Sequence, residues 1–142
     1  MIFLPRKFAG FKLDHAEMIP KEDHSLAQAG ATDGVLAGYV ASDKELRLLA
    51  FNFSSAESAK AGLSKFIGDF KQKIGESSLT TQEEGQKKKG NTVVGDRIVL
   101  RGKSEFAAGE SIVWTNGSVL FAVSITKRND DSPLEFERQF PY

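Results

Sequence analysis

The dipeptide Asn116-Gly117 joins two apolar runs rich in β-branched and aromatic residues, Ser111-Ile112-Val113-Trp114-Thr115 and Ser118-Val119-Leu120-Phe121-Ala122-Val123-Ser124-Ile125. Both residues tolerate positive φ, so the spacing predicts a β-hairpin closed by a two-residue type I′ turn whose twist matches the strands it joins. In that register Thr115 faces Ser118, Trp114 opposes Val119 and Ile112 opposes Phe121. One face of the ribbon then carries Ile112, Trp114, Val119, Phe121, Val123 and Ile125. It has to be buried, because a slip of one residue would turn the whole set toward water. The other face, with Val113, Thr115, Ser118, Leu120, Ala122, Ser124 and Thr126, is smaller and more polar and is expected to be at most partly covered. Trp114 on the apolar face reads as core, not as a platform for a ligand.

A second pair of runs, Val35 to Ser42 and Glu45 to Phe53, predicts a hairpin about Asp43-Lys44 in which Tyr39 faces Leu48. Ala37, Tyr39, Ala41, Leu46, Leu48 and Ala50 share one face. Leu36, Val40, Leu49, Phe51 and Phe53 share the other, with Arg47 as its exception. Strands apolar on both sides belong in the middle of a sheet. Ser54-Ser55-Ala56-Glu57 then has the form of a capping box. Ala56, Ala59, Leu63, Phe66, Ile67, Phe70 and Ile74 follow at helical spacing as far as Gly75, predicting one long helix over about 55–74. Gly62 and Gly68 inside it cost about 1 kcal/mol each relative to Ala unless packing requires them. Near the end of the chain, Ser132-Pro133-Leu134-Glu135 combines an N-cap, a proline at the first helical position and a capping acid, so a short helix to Phe140 should lay Phe136 and Phe140 on the core.

The remaining segments are less regular. Ile2 to Leu13 reads as an extended arm or edge strand, and Lys21 to Ala29 as a short helix stopped by Gly30. Leu79 to Glu83 suits an edge strand, with the rest of Glu76 to Asn91, including Lys87-Lys88-Lys89, as solvated loop. Thr92 to Arg101 reads as a strand interrupted near Gly95, with Ile98 and Leu100 inward and Arg97, Val99 and Arg101 outward. Together these give a single α+β domain over residues 1–142 with an N-terminal aromatic arm over 1–13. Its expected architecture is a mainly antiparallel twisted sheet of about six strands with the long helix on one face and a short C-terminal helix.

Charge removes several classes of function. Lys plus Arg and Asp plus Glu number 19 each in 142 residues, which gives no global attraction to nucleic acid or an anionic membrane. Without cysteine there is no disulfide framework and no thiolate chemistry. The first residues lack the basic and apolar regions of a signal peptide, and no apolar run has the length of a membrane span. A mature chain whose leader had been removed would read the same way.

Short motifs do not converge on a reaction. Gly102-Lys103-Ser104 is like the end of a phosphate loop, but Arg97 stands where that loop requires Gly, and no helix follows. Ser124 and Lys127 have the Ser-x-x-Lys spacing, which on a strand points the two side chains to opposite faces. His15 and His24, with Asp14, Glu17, Glu22 and Asp23, sit on a polar connection that lacks the rigid convergence of a metal site. Asn52-Phe53-Ser54 and Asn116-Gly117-Ser118 match the glycosylation pattern, as short patterns do by chance. No cofactor or metal is expected. Phe3, Phe8 and Phe11 in the arm either pack on the chain's own core or, where no groove holds them, form an apolar patch for a partner.

The opening Leu4-Pro5-x-x-Phe8-Ala9-Gly10-Phe11, the Tyr39 strand, Leu49-Ala50-Phe51-Asn52-Phe53 with its following helix, and the closing Asn-Gly hairpin resemble an uncharacterised family of exported bacterial proteins, a domain of unknown function. The order of elements is also similar to the fold of the extrinsic photosystem subunit family. The resemblance implies a periplasmic or extracellular location after leader removal, and brings no catalytic residues; the sequence alone is equally compatible with cytoplasm. The leading expectation is therefore a non-catalytic binding or accessory module of the bacterial cell envelope. It would act through a protein partner, such as a membrane-associated complex, with Phe3, Phe8 and Phe11 as contacts. The alternative is a small enzyme or small-ligand-binding protein with a pocket between sheet and helix, using Tyr39 or Arg47.

Overall fold

The structure, a computed structural model, describes residues 4–20, 25–75, 79–102, 109–125 and 132–142. Within them β1 (Lys7–Phe8), β2 (Phe11–Ile19), β3 (Ala31–Ala41), β4 (Lys44–Phe53), β5 (Leu79–Lys89), β6 (Thr92–Gly102), β7 (Glu110–Asn116) and β8 (Val119–Ser124) form one antiparallel sheet in the order β1-β2-β3-β4-β8-β7-β6-β5. Helix α1 (Ala56–Ile74) lies on one face and α2 (Ser132–Gln139) on the other.

Eight strands correct the expected six or so, and the cause lies at the two edges. Ala9 and Gly10 take positive φ (47° and 85°) and reverse the arm on itself, so that Phe8 pairs with Phe11. The polar stretch that follows then zips along β3 as far as Ile19 opposite Gly34. At the other edge β5 runs on through all three lysines, pairing Lys89 with Thr92. Edge strands carrying charge on an open face show little apolar alternation, which hides them from periodicity while guarding the sheet edge.

Helix α1 is also corrected: it has 19 residues, and on an eight-stranded sheet it is not the long element expected. Its N-cap is Ser55, whose hydroxyl accepts the Ser58 amide at 3.0 Å, one residue later than the capping box implied. Gly75 at φ 100° ends it by donating its amide to the Lys71 carbonyl. The short helix expected to end at Gly30 is a 3-10 turn, Ser25–Ala29; Lys21 to His24 lie outside the described residues.

Both central hairpins keep the expected faces in a different register. β7 and β8 pair Trp114 with Phe121 and Asn116 with Val119, leaving Gly117 and Ser118 as the loop. Gly117 has φ 59° and Ser118 is not in the positive region, which meets the type II′ requirement; type I′ needs both. β3 and β4 likewise pair Tyr39 with Leu46, turning at Ser42 (φ 58°) and Asp43. Each shift is two residues, one full side-chain period, so no side chain changes sides.

Both faces of the central strands are covered. The side of the β7–β8 hairpin expected to be partly exposed is buried at Val113, Thr115 and Leu120, because α1 crosses it and packs Ala59 and Ile67 there. β6 runs on through Gly95, but its pairing with β5 shifts register between Val93 and Gly95, where the sequence places an interruption; Gly95 is a glycine because the Thr115 backbone presses on it. Arg97 and Val99, expected to face outward, turn toward α2.

The α2 side is an aromatic core of Phe11, Tyr39, Trp114, Phe121, Phe136 and Phe140. Trp114 and Phe121 stack with centroids 5.3 Å apart, and Phe140 meets Phe121 edge-on at 5.4 Å. The Trp114 indole N–H donates to the Tyr142 carbonyl at 3.2 Å. A charged network pins α2 from the side. Glu137, 4% exposed, accepts from Lys87 Nζ at 2.8 Å and from Arg97 Nε at 2.7 and 2.9 Å, while Lys89 donates to the Phe140 carbonyl at 2.9 Å. Lys87, expected in a solvated loop, is 7% exposed with its ammonium 5.0 Å from the Trp114 ring centroid. Burial works to raise the Glu137 carboxyl pKa, but hydrogen bonds and charge from Arg97 and Lys87 outweigh it and hold the group below the usual carboxylate value.

Three stability measurements follow from this packing. Phe121→Ala is expected to lose roughly 3–5 kcal/mol in chemical denaturation through lost burial and a cavity; a near-neutral change contradicts the aromatic core. Gly68→Ala, at a helical position with open space around it, should gain about 1 kcal/mol, whereas Gly62→Ala should lose stability because its Cβ would overlap the Phe53 ring. With its folded pKa depressed, Glu137 contributes stability that is complete above its unfolded pKa and lost as pH falls through the folded one. Glu137→Gln should therefore be less stable at neutral pH by roughly 3–5 kcal/mol and should show a flatter acid limb. An unchanged pH profile would remove Glu137 from the acid transition.

Candidate functional site

Unfilled space lies between the second half of α1 and the sheet. In the first half Ala59 is fully buried and Gly62 lets the Phe53 ring sit where a side chain would be, so helix and sheet are in close contact. In the second half the larger Phe66 and Phe70 stack in parallel, centroids 6.3 Å apart, and remain only half-buried. Beneath them a groove of about 510 Å³ opens, floored by Leu49, Val113 and Ala122 and closed on one side by Ile19 and Leu26. That volume is within the roughly 300–1,000 Å³ of small-molecule pockets.

The sheet register grades the groove from polar to apolar. Arg47 pairs with Ser124, and Ser124 with Ser111, so these three stand in one row across β4, β8 and β7. The next row on the same face is Leu49, Ala122 and Val113, and the one beyond includes Phe51 and Leu120. Above the polar row, α1 contributes Asp69 and Lys73. Asp69 has Lys65 at 3.5 Å one helical turn away. Arg47 is exposed and has no ion-pair or hydrogen-bond partner among the described residues.

A shallower hollow of about 270 Å³ continues past Arg47 and Ser124 and includes His15, Gly38 and Glu45. A side chain at Gly38 would meet the exposed His15 ring, which would have to move aside. A third, open basin of about 760 Å³ lies beside α2 among Lys87, Lys89, Arg97 and Glu137; Glu137 pairs with Lys87 and Arg97, and Lys89 donates to the Phe140 carbonyl.

The residues singled out by sequence are dispersed. Phe8 is half-buried with its ring 5.0 Å from Phe136 and 5.5 Å from Tyr39, Phe140 and Phe11. Phe11 is 5% exposed and meets Phe136 at 5.2 Å; Phe3 lies outside the described residues. Tyr39 is on the opposite face from the groove, donates its hydroxyl to the Pro5 carbonyl at 2.8 Å, and has its pKa pushed up by burial. Of the two residues named for a pocket between sheet and helix, only Arg47 lines one. His15 is exposed beside Asp14 at 3.1 Å, and His24, Lys103, Ser104 and Lys127 lie outside the described residues. Among the described residues no group of three or more His, Cys, Asp or Glu converges to hold a metal, and no helix is long and apolar enough to cross a membrane. Ser111 and the opening under Phe66 and Phe70 carry no sequence signal, since a helix stripe that seals its sheet and one that stands off it have the same period; Ser124 stands out only in the Ser-x-x-Lys spacing, which does not point to a groove.

No protein-family model matches this chain, and no curated protein does. Among solved structures it is similar to the extracellular domain of PknH from Mycobacterium tuberculosis, with a TM-score of 0.48 and 8% identity over 92% of this chain and 82% of that one. A likeness this low carries no argument about fold or function. The resemblances to an exported bacterial family and to the extrinsic photosystem subunits accordingly gain no support from these comparisons.

Proposed function

We propose that this protein is a non-catalytic binding module, residues 1–142 acting as one α+β unit, whose site is the groove between α1 and the sheet and whose ligand is a small, largely apolar molecule. The observation that carries the reading is the row of half-buried Ile19, Leu49, Phe66 and Phe70 around an open volume. Apolar side chains held apart at this distance forgo burial that a closer helix would gain, and a ligand's apolar surface restores it. An envelope location belongs to this proposal, on the resemblance alone. A protein partner held through the arm is the weaker reading, because the rings of Phe8 and Phe11 are already packed on Phe136. For the arm to bind a partner it would have to peel away from that core.

The test uses N-phenyl-1-naphthylamine, a neutral apolar fluorophore. Saturable binding with enhanced emission is expected for the wild type. Ala122→Phe grows a ring into the groove and should weaken binding about tenfold or more, the equivalent of about 1.4 kcal/mol. Phe70→Ala, which alters the roof instead of the floor, should change it as well. Wild-type affinity in both variants, each shown to melt cooperatively, would place the probe elsewhere and defeat the proposal.

A further inference from the structure

We infer that the groove's ligand is a single-chain amphiphile bearing a carboxylate, the carboxylate held at Arg47 and the chain lying beneath Phe66 and Phe70. This deepens the binding reading above and rests on it. It follows from the order of side chains along the groove: a cation and two hydroxyls in one row, Arg47, Ser124 and Ser111, then a purely apolar row, Leu49, Ala122 and Val113. Opposed residues in adjacent strands have Cβ atoms about 4.5–5.5 Å apart, so the polar row forms a single rim. A ligand apolar along its whole length would leave that rim uncovered. One polar along its length could not enter the floor.

Charge decides which polar group suits the rim. Arg47 is permanently cationic and unpartnered among the described residues, and Lys73 adds a second cation from the last turn of α1. Two acids must be weighed against them. Asp69 lines the same rim and already has Lys65 beside it. Glu45, two residues before Arg47 on the same strand face, lies in the shallower hollow and not in the groove. An anion coming from the groove thus meets Arg47 first, and Glu45 repels it from going further. The planar guanidinium fork matches a carboxylate with two parallel hydrogen bonds, and the Ser124 hydroxyl is placed to add a third donor.

The experiment compares laurate with dodecanol, which share a chain length and differ in the head group, as displacers of N-phenyl-1-naphthylamine below their micelle-forming concentrations. The ratio of the two displacement constants isolates the head group whatever a variant does to the probe. Wild type should prefer laurate about tenfold or more, and the preference should weaken at high salt. Arg47→Ala and Arg47→Gln should bring the ratio close to one, while Arg47→Lys should keep part of it. Equal displacement by the two compounds in the wild type, or a preference that survives both neutral variants, overturns the inference while leaving the groove as a binding site. Failure of the fluorophore to bind the wild type, or to be displaced by either compound, overturns the groove reading itself. Arg47 is exposed, so loss of fold is not expected, and a cooperative melt of each variant checks it.

Discussion

The contact between Gly62 and the Phe53 ring fixes where α1 can touch the sheet, and the site depends on it. A glycine in a helix interior is unfavourable by about 1 kcal/mol relative to alanine, and here the helix bears that cost because a Cβ would overlap the ring. Ala59, one turn earlier, is fully buried for the same reason: only small residues permit this approach. One end of the helix is thereby held close, while Phe66 and Phe70 make the other end too bulky to follow. A straight helix close at one end and bulky at the other leaves space under the bulky end, and the groove is found there. Gly68 shows the contrast. It sits in open space, so its conformational cost is offset by no packing.

The aromatic centre of the other face is full, and the open basin at its margin beside α2 is lined by charged residues. Phe8, Phe11, Tyr39, Trp114, Phe121, Phe136 and Phe140 interlock at centroid distances of 5.0 to 6.2 Å, and the Tyr39 hydroxyl and Trp114 indole both reach carbonyls. Helix α2 is only eight residues, too short to hold its place by its own propensity, so tertiary contacts must supply what local structure cannot. Its aromatic pair does most of this. The bond of Glu137 to Lys87 and Arg97 adds direction more than stability, because a buried ion pair often does no better than apolar residues of similar volume. Apolar packing alone would tolerate small rotations of α2; a carboxylate bridging two strands does not.

Parity was legible in this sequence and register was not. Period-two alternation put Ile112, Trp114, Phe121 and Val123 on one side without structural information, and they are on one side. The turn is displaced by one residue in each hairpin, forward from Asn116-Gly117 to Gly117-Ser118 and back from Asp43-Lys44 to Ser42-Asp43, because several adjacent residues there tolerate a turn and local sequence does not choose among them. Edge strands are expected over Ile2 to Leu13 and Leu79 to Glu83, but their extension to Ile19 and Lys89 escapes the sequence for a different reason. Lys12 to Glu17 carries three charges in six residues and Glu83 to Lys89 five in seven, without apolar alternation, and it is pairing with β3 and with β6 that makes them strands. Lys87 shows how far such a reading can miss. Three consecutive lysines look solvated, yet one of them enters the core to meet a carboxylate fifty residues away.

Arg47 was the one visible mark of the groove, recorded in the sequence as the exception on an otherwise apolar face of a central strand. Its neighbours on that face, Leu49 and Phe51, show what the position accommodates, and a leucine at 47 would extend the apolar floor while removing a charged group from the margin of the core. Among the described residues the guanidinium caps no helix and bridges no acid. Among the described residues, then, no contact accounts for an arginine at this position. A charge kept beside unfilled apolar volume, with two serines completing its row, is what recognition of an anionic amphiphile requires, and residues at such sites commonly give up stability for function.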